Sequence, residues 1–116
     1  MSDGQEIKTI TIAELLNSSA EPLQRVIELE TRDGSSQSRK VIFRRLSFKE
    51  VEALSDIPQA EVERYTRTVL FIGSIEPKFK DVDQIGLLPS GFVNGYASII
   101  LEETGKTPFL VQKSLD

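Results

Sequence analysis

Residues 40–54, "KVIFRRLSFKEVEAL", decide the fold, because the period of the chain changes inside them. Val41 and Phe43 fall on one side of an alternating pattern, with Ile42, Arg44 and Leu46 tending to the other, and β-branched residues are frequent; this predicts a strand. From Ser47 the spacing lengthens. Ser47 and Glu50 stand at the capping-box separation, in which each side chain satisfies a backbone N–H at a helix start. Phe48, Val51 and Leu54 then recur every third residue, as the buried stripe of a short helix would. A strand running into a capped helix predicts an α+β domain.

Upstream, Leu23, Arg25, Ile27 and Leu29 alternate with Gln24, Val26, Glu28 and Glu30, which supplies a partner strand. Between the two strands "TRDGSSQSRK" offers turn residues, including Asp33-Gly34, so a hairpin with a long, polar, mobile loop is expected. The basic cluster Arg39, Lys40, Arg44 and Arg45 is expected to pair with Glu28, Glu30 and Asp33 rather than with phosphate. Earlier still, Thr11 and Glu14 repeat the capping-box spacing ahead of a helix from Ile12 to about Asn17, with Ile12, Leu15 and Leu16 as its buried stripe.

Downstream, a helix is predicted from Gln59 to about Gly73, with Val62, Tyr65, Val69 and Ile72 on its core face and a Glu63–Arg67 pair on another. "SIEPKFKDVDQIGLLPS" reads as an irregular crossing fixed by Pro77 and Phe79, from which Ile75, Phe79 and Leu87 dip into the core. The last helix runs from Gly91 to Thr104 between Ser90 as N-cap and Gly105. Its apolar residues, Phe92, Val93, Tyr96, Ile99, Ile100 and Leu101, occupy more than one stripe, so it is either deeply buried or shares a face with another molecule. The expected whole is an N-terminal antiparallel β-hairpin packed with three to four helices and a mainly helical C-terminal half. Residues 11–105 form the single globular domain, with 1–10 and 106–116 as tails. The expected partner surface comprises Phe92, Tyr96 and Ile99 together with Phe109, Leu110 and Val111, for which the pattern offers no amphipathic element.

Composition narrows the function classes. Neither cysteine nor histidine occurs, which removes the usual nucleophile–base pairs and transition-metal ligands, so no enzyme is expected. Fourteen Lys and Arg against 18 Asp and Glu give a net charge of -4, a poor field for nucleic acid. Asp81, Asp83 and Gly86 imitate the first, third and sixth positions of a calcium loop, but Ile85 and Phe92 occupy positions that need oxygen ligands. Gly86, Gly91 and Gly95 make no nucleotide fingerprint and read as turns and as permission for close helix packing. Glu102 and Glu103 read as a solvated helix end. No catalytic residue, metal or cofactor is therefore expected. The acidic start "MSDGQEIK" lacks the order of a secretory signal and no apolar run approaches a membrane span, so the expected location is the cytoplasm.

The order of elements adds a resemblance. "VIFRRLSFKEVEAL", then a longer helix ending in "SIEPKF", then "LLPSGFVNGYASIILEETG" resembles the tail assembly chaperones of long-tailed bacteriophages and their prophage relatives, over roughly Ile12 to Gly105. That resemblance implies a small protein of the bacterial host cytoplasm that binds the tape measure protein, helps bring tail tube protein to the growing tail and self-associates into a homo-oligomer. The other readings are a small nucleic-acid-binding regulator built on the Arg39–Arg45 cluster and a minor structural component of the tail.

Overall fold

The computed structural model describes residues 7–30 and 32–105. The architecture is α+β: a three-stranded antiparallel sheet in the order β1-β2-β3, with helices packed on it. Strand β1 (Leu23–Glu30) pairs with β2 (Ser36–Phe43) along its whole length, from Leu23 opposite Phe43 to Glu30 opposite Ser36. The long mobile loop expected between them is absent. Asp33 accepts hydrogen bonds from the Ser35 backbone N–H (3.0 Å) and hydroxyl (2.7 Å), and Gly34 adopts a φ of 86°, which only glycine takes without strain. With so tight a turn the polar residues Ser36–Arg39 continue the ladder. Both faces of this end of the hairpin lie in water, so no apolar alternation was available to announce the strand.

After β2 the chain enters α2 (Phe48–Ser55), whose capping box forms as its spacing predicts: the Glu50 N–H donates to the Ser47 hydroxyl at 3.2 Å and the Ser47 N–H to Glu50 Oε1 at 2.8 Å. A 3-10 turn at Gln59–Glu61 leads into α3 (Val62–Gly73). Strand β3 (Ser74–Glu76) then adds to the open edge of β2, pairing Ser74 with Phe43 and Glu76 with Ile42. This strand was expected to be irregular chain; three residues are too few to show a period. A single turn, α4 (Val82–Ile85), is capped by Asp81, which accepts from the Gln84 N–H at 2.8 Å. It brings the helices to five among the described residues, with α1 (Ile12–Ala20) and α5 (Ser90–Gly105) at the two ends of the order.

The core lies where α3 and α5 cross over the sheet. Val41 and Phe43 of β2, Val69 and Leu70 of α3, and Tyr96 and Ile100 of α5 form its centre, with Leu46, Leu54, Phe79 and Ile85 at its margins. Several expected core residues are displaced from it. In α2 only Leu54 is buried; Phe48 is 81% exposed, because a helix of two turns meets α3 only near its end. On α3 Leu70 takes the place expected for Val62, which is exposed. Ile75 and Leu87 point outward while Phe79 and Ile85 are buried, since the alternation of β3 turns Ser74, not Ile75, inward. Among the described residues no ion pair joins Glu63 to Arg67; on this helix Arg64 meets Glu61 at 3.4 Å.

Helix α1 departs furthest from expectation. It begins at Ile12 on the predicted capping box, with the Glu14 N–H donating to Thr11 Oγ1 at 3.2 Å, and extends past Asn17 to Ala20. Its apolar stripe is not buried: Ile12 is 71% and Leu16 65% exposed. Local capping is enough to start the helix, and none of the described residues covers the stripe.

The basic cluster is divided rather than gathered. Arg44 makes a bidentate pair with Glu50 (2.8 and 2.7 Å), and Arg45 donates to the Glu103 carbonyl at 3.1 Å while Arg25 pairs with the Glu103 carboxylate. Glu28, expected to face an arginine, accepts from the Ser38 hydroxyl at 2.8 Å. Arg44, with the Ser47 N–H assisting, holds the Glu50 carboxyl at about 2, below its ordinary 4.5. A carboxylate whose pKa is depressed on folding stabilises the fold above its unfolded value and loses that contribution as pH falls through the folded one. Glu50→Gln keeps the capping box, which glutamine also completes, and is expected to cost about 1 to 2 kcal/mol at pH 7 from the lost charge-assisted bonds to Arg44. Urea unfolding from pH 5 to pH 2 should show a fall in wild-type stability that is smaller in the variant.

Candidate functional site

The broad apolar girth of α5 resolves into two parts. Val93, Tyr96, Ala97 and Ile100 are buried, whereas Phe92, Ile99 and Leu101 are half-buried at the margin. Beside Phe92 and Ile99 stand Gly91 and Gly95, one helical turn apart, and an added Cβ at either would meet nothing within 4 Å. The missing side chains leave a trough along the helix. Across it run Ile27, Glu28, Leu29 and Glu30 of β1, and Pro89 also lines it. The result is an open groove of about 500 Å³, apolar on its walls and acidic on the strand side of its rim.

Tyr96 forms the floor, not the surface. The tyrosine is 2% exposed, packs edge-on against Phe43 at 6.0 Å and 82°, and supports the Phe92 ring at 5.6 Å. Its hydroxyl lies 2.8 Å from the Ser74 hydroxyl and 3.2 Å from the Ile42 carbonyl, while Ser74 also reaches the Pro77 carbonyl at 2.5 Å. Two hydroxyl protons thus serve three contacts, and burial pushes the Tyr96 pKa up. The expectation that Tyr96 belongs to an exposed partner surface is corrected: its polar tip has partners inside, so the whole side chain can be buried. Tyr96→Phe is expected to cost about 1 to 3 kcal/mol in urea unfolding, because acceptors around Ser74 and Ile42 lose a donor.

Phe92 and Ile99 do line the groove, as neighbours on one face of α5. Phe109, Leu110 and Val111 lie outside the described residues. Sequence reasoning missed Ile27 and Leu29 as the opposing wall, since nothing local says which helix a strand will face. The spacing of Gly91 and Gly95 was the available signal: read as permission for close packing, it marks space that the chain's own described residues leave unfilled.

A second groove, of about 410 Å³, separates α3 from α4 and the start of α5, lined by Thr66, Arg67, Ile85, Gly86, Ser90 and Asn94 among others. Arg67 Nε is buried there without a hydrogen-bond partner among the described residues. No group of three or more acidic side chains capable of holding a metal ion occurs among the described residues, and no described helix is long and apolar enough to cross a membrane. Comparison with protein-family models, with curated proteins and with solved structures finds no match for this chain.

Proposed function

We propose that this protein is a non-enzymatic binding protein of the tail-assembly-chaperone kind, acting in the bacterial host cytoplasm. Its client is an apolar segment of a tape measure protein, held during tail assembly, and tail tube protein is the further partner. The groove between β1 and α5 carries this reading: a trough floored by Tyr96, left open by Gly91 and Gly95 and walled by Ile27, Leu29, Phe92 and Ile99 suits the apolar face of a helical segment, whose anchors recur at intervals of three and four residues. The order of strand, capped helix, long helix and final helix that carries the resemblance supports it as well.

The test is aggregation of a synthetic apolar helical segment of a tape measure protein, followed by light scattering. Wild-type protein is expected to suppress scattering at near-equimolar ratio. Gly95→Leu fills the groove where there is open space and improves helix propensity by up to about 1 kcal/mol, so it should keep its melting temperature and lose the suppression. Equal suppression by the two proteins would remove the groove from the function.

A further inference from the structure

We infer that the groove between α3, α4 and the start of α5 is a second binding site, one that takes the side-chain carboxylate of a glutamate or aspartate in a partner's peptide segment, with Arg67 as the anchor. It goes beyond the β1–α5 groove and does not rest on it. The first observation is an arginine without an acceptor. Arg25, Arg44, Arg45 and Arg64 each meet a carboxylate or a carbonyl. Arg67 is half-buried and makes no hydrogen bond or ion pair among the described residues. Its Nε is fully buried, and among the described residues it is the only buried side-chain nitrogen or oxygen left without a partner. A buried donor in that condition destabilises the fold, and native structures rarely keep one unless a bound group supplies the acceptor.

The second observation is that the arginine has a seat. A Cβ at Gly86 would lie 3.1 Å from Arg67 Nη1 and 3.9 Å from Arg67 Cδ, so the bare backbone at the end of α4 is what lets the side chain lie along it. Third, the groove has the size and lining of a peptide site rather than of an anion site. It measures about 410 Å³, within the range of ligand clefts, and the buried Ile85 and Val93 give it an apolar base. Thr66 Oγ1 donates to the Val62 carbonyl at 3.0 Å, so what it still offers is an acceptor, and Glu63 adds a carboxylate. Asn94 offers both a donor and an acceptor. A peptide brings N–H groups for these acceptors together with a carboxylate for the guanidinium fork, which binds carboxylates bidentately. Phosphate brings two negative charges to a groove whose one arginine is already balanced by Glu63, and a simple fatty acid brings nothing for Thr66 and Glu63 to accept.

The test is NMR of the Arg67 Nε–H signal in the full chain, titrated with an acetylated and amidated pentapeptide that carries one glutamate between leucines. The expected result is a saturable displacement of that signal and slower exchange of its proton with water. Glutamine in place of the peptide's glutamate should weaken binding about tenfold or more, since the charge-assisted pair is lost. Arg67→Lys, which keeps the charge and loses the planar fork, should weaken it by about as much. Arg67→Met preserves the packing of the aliphatic stem and should keep or raise the melting temperature, because no partner is lost with the guanidinium. A signal that does not move, equal binding of the glutamine peptide, or binding that tolerates Arg67→Lys overturns the inference. A fall in melting temperature with Arg67→Met overturns it too, by showing that Arg67 has its partners in the free protein. Inorganic phosphate or hexanoate bound as tightly as the peptide would make the groove a site for a bare anion and would likewise overturn it. Capture of the apolar segment is read separately, at Ile99 and Leu29, so either reading can fail while the other stands.

Discussion

Ile100→Ala is expected to lower stability by about 2 to 5 kcal/mol, read as a fall in the urea midpoint at unchanged slope. Ile100 is fully buried at the crossing of α3 and α5, against Leu46 and Gly73, and its removal leaves a cavity between two helices and the end of β2 that cannot collapse without moving one of them. Val69, equally buried on α3, offers a comparison with fewer carbons to lose. A loss below about 0.5 kcal/mol at Ile100 would mean that α5 does not sit in the core.

Gly73→Val is the second large effect, and it acts from the opposite side of the same contact. A Cβ at Gly73 would lie 2.9 Å from Ile100 Cγ2, closer than packed carbons tolerate, and 3.1 Å from Ile100 Cδ1, with Leu46 Cδ2 in ordinary contact at 3.5 Å. Overpacking of this kind costs about 1 to 3 kcal/mol. The Gly73 carbonyl also accepts from the Arg44 N–H at 3.0 Å, so the backbone cannot easily retreat. If the clash is the cause, Ile100→Ala in the Gly73→Val background should cost much less than it does alone, a coupling of about 1 kcal/mol or more between contacting sites. Additive losses would instead place the cost in the end of α3.

Gly73 also shows what the sequence could and could not disclose. Its position after "TVLFI" marked the end of a helix correctly, and α3 does end there. The reason lies in a residue 27 positions away, the close approach of Ile100, which no local pattern contains. The capping boxes at Thr11 and Ser47 were legible because all their partners lie within four residues, and both form as spaced. The pairing of β1 with β2 was legible from alternation near the core, but the strand continued through Ser36–Arg39, where both faces are wet and polar residues suffice. Stripes misled where no described element covers that part of the helix: Phe48, Ile12 and Leu16 follow helical spacing and remain exposed. Periodicity tells which residues share a face and not whether anything covers it.

The candidate site divides in the same way. Phe92 and Ile99 were visible as surplus apolar residues on α5, and Tyr96 belonged to the same series until the Ser74 and Ile42 oxygens provided for its hydroxyl inside. The opposing wall, Ile27 and Leu29, depended on the sheet placing β1 alongside α5. Among the described residues no ion pair joins the basic cluster to Glu28 or Glu30 across the hairpin, while Glu50 and Glu103 reach it from helices that begin or end beside the last residues of β2.

The central claim, that the groove between β1 and α5 is where this protein holds an apolar segment, is tested most directly by methyl-labelled NMR titration with such a segment. The largest shifts are expected at Ile27, Leu29 and Ile99, saturating at one segment per groove, and none of these shifts in Gly95→Leu. Shifts confined to the Arg67 groove or to a third hollow, lined by Leu54, Ile57 and Tyr65 where α2 leads into α3, with Ile99 and Leu29 unmoved, would contradict it.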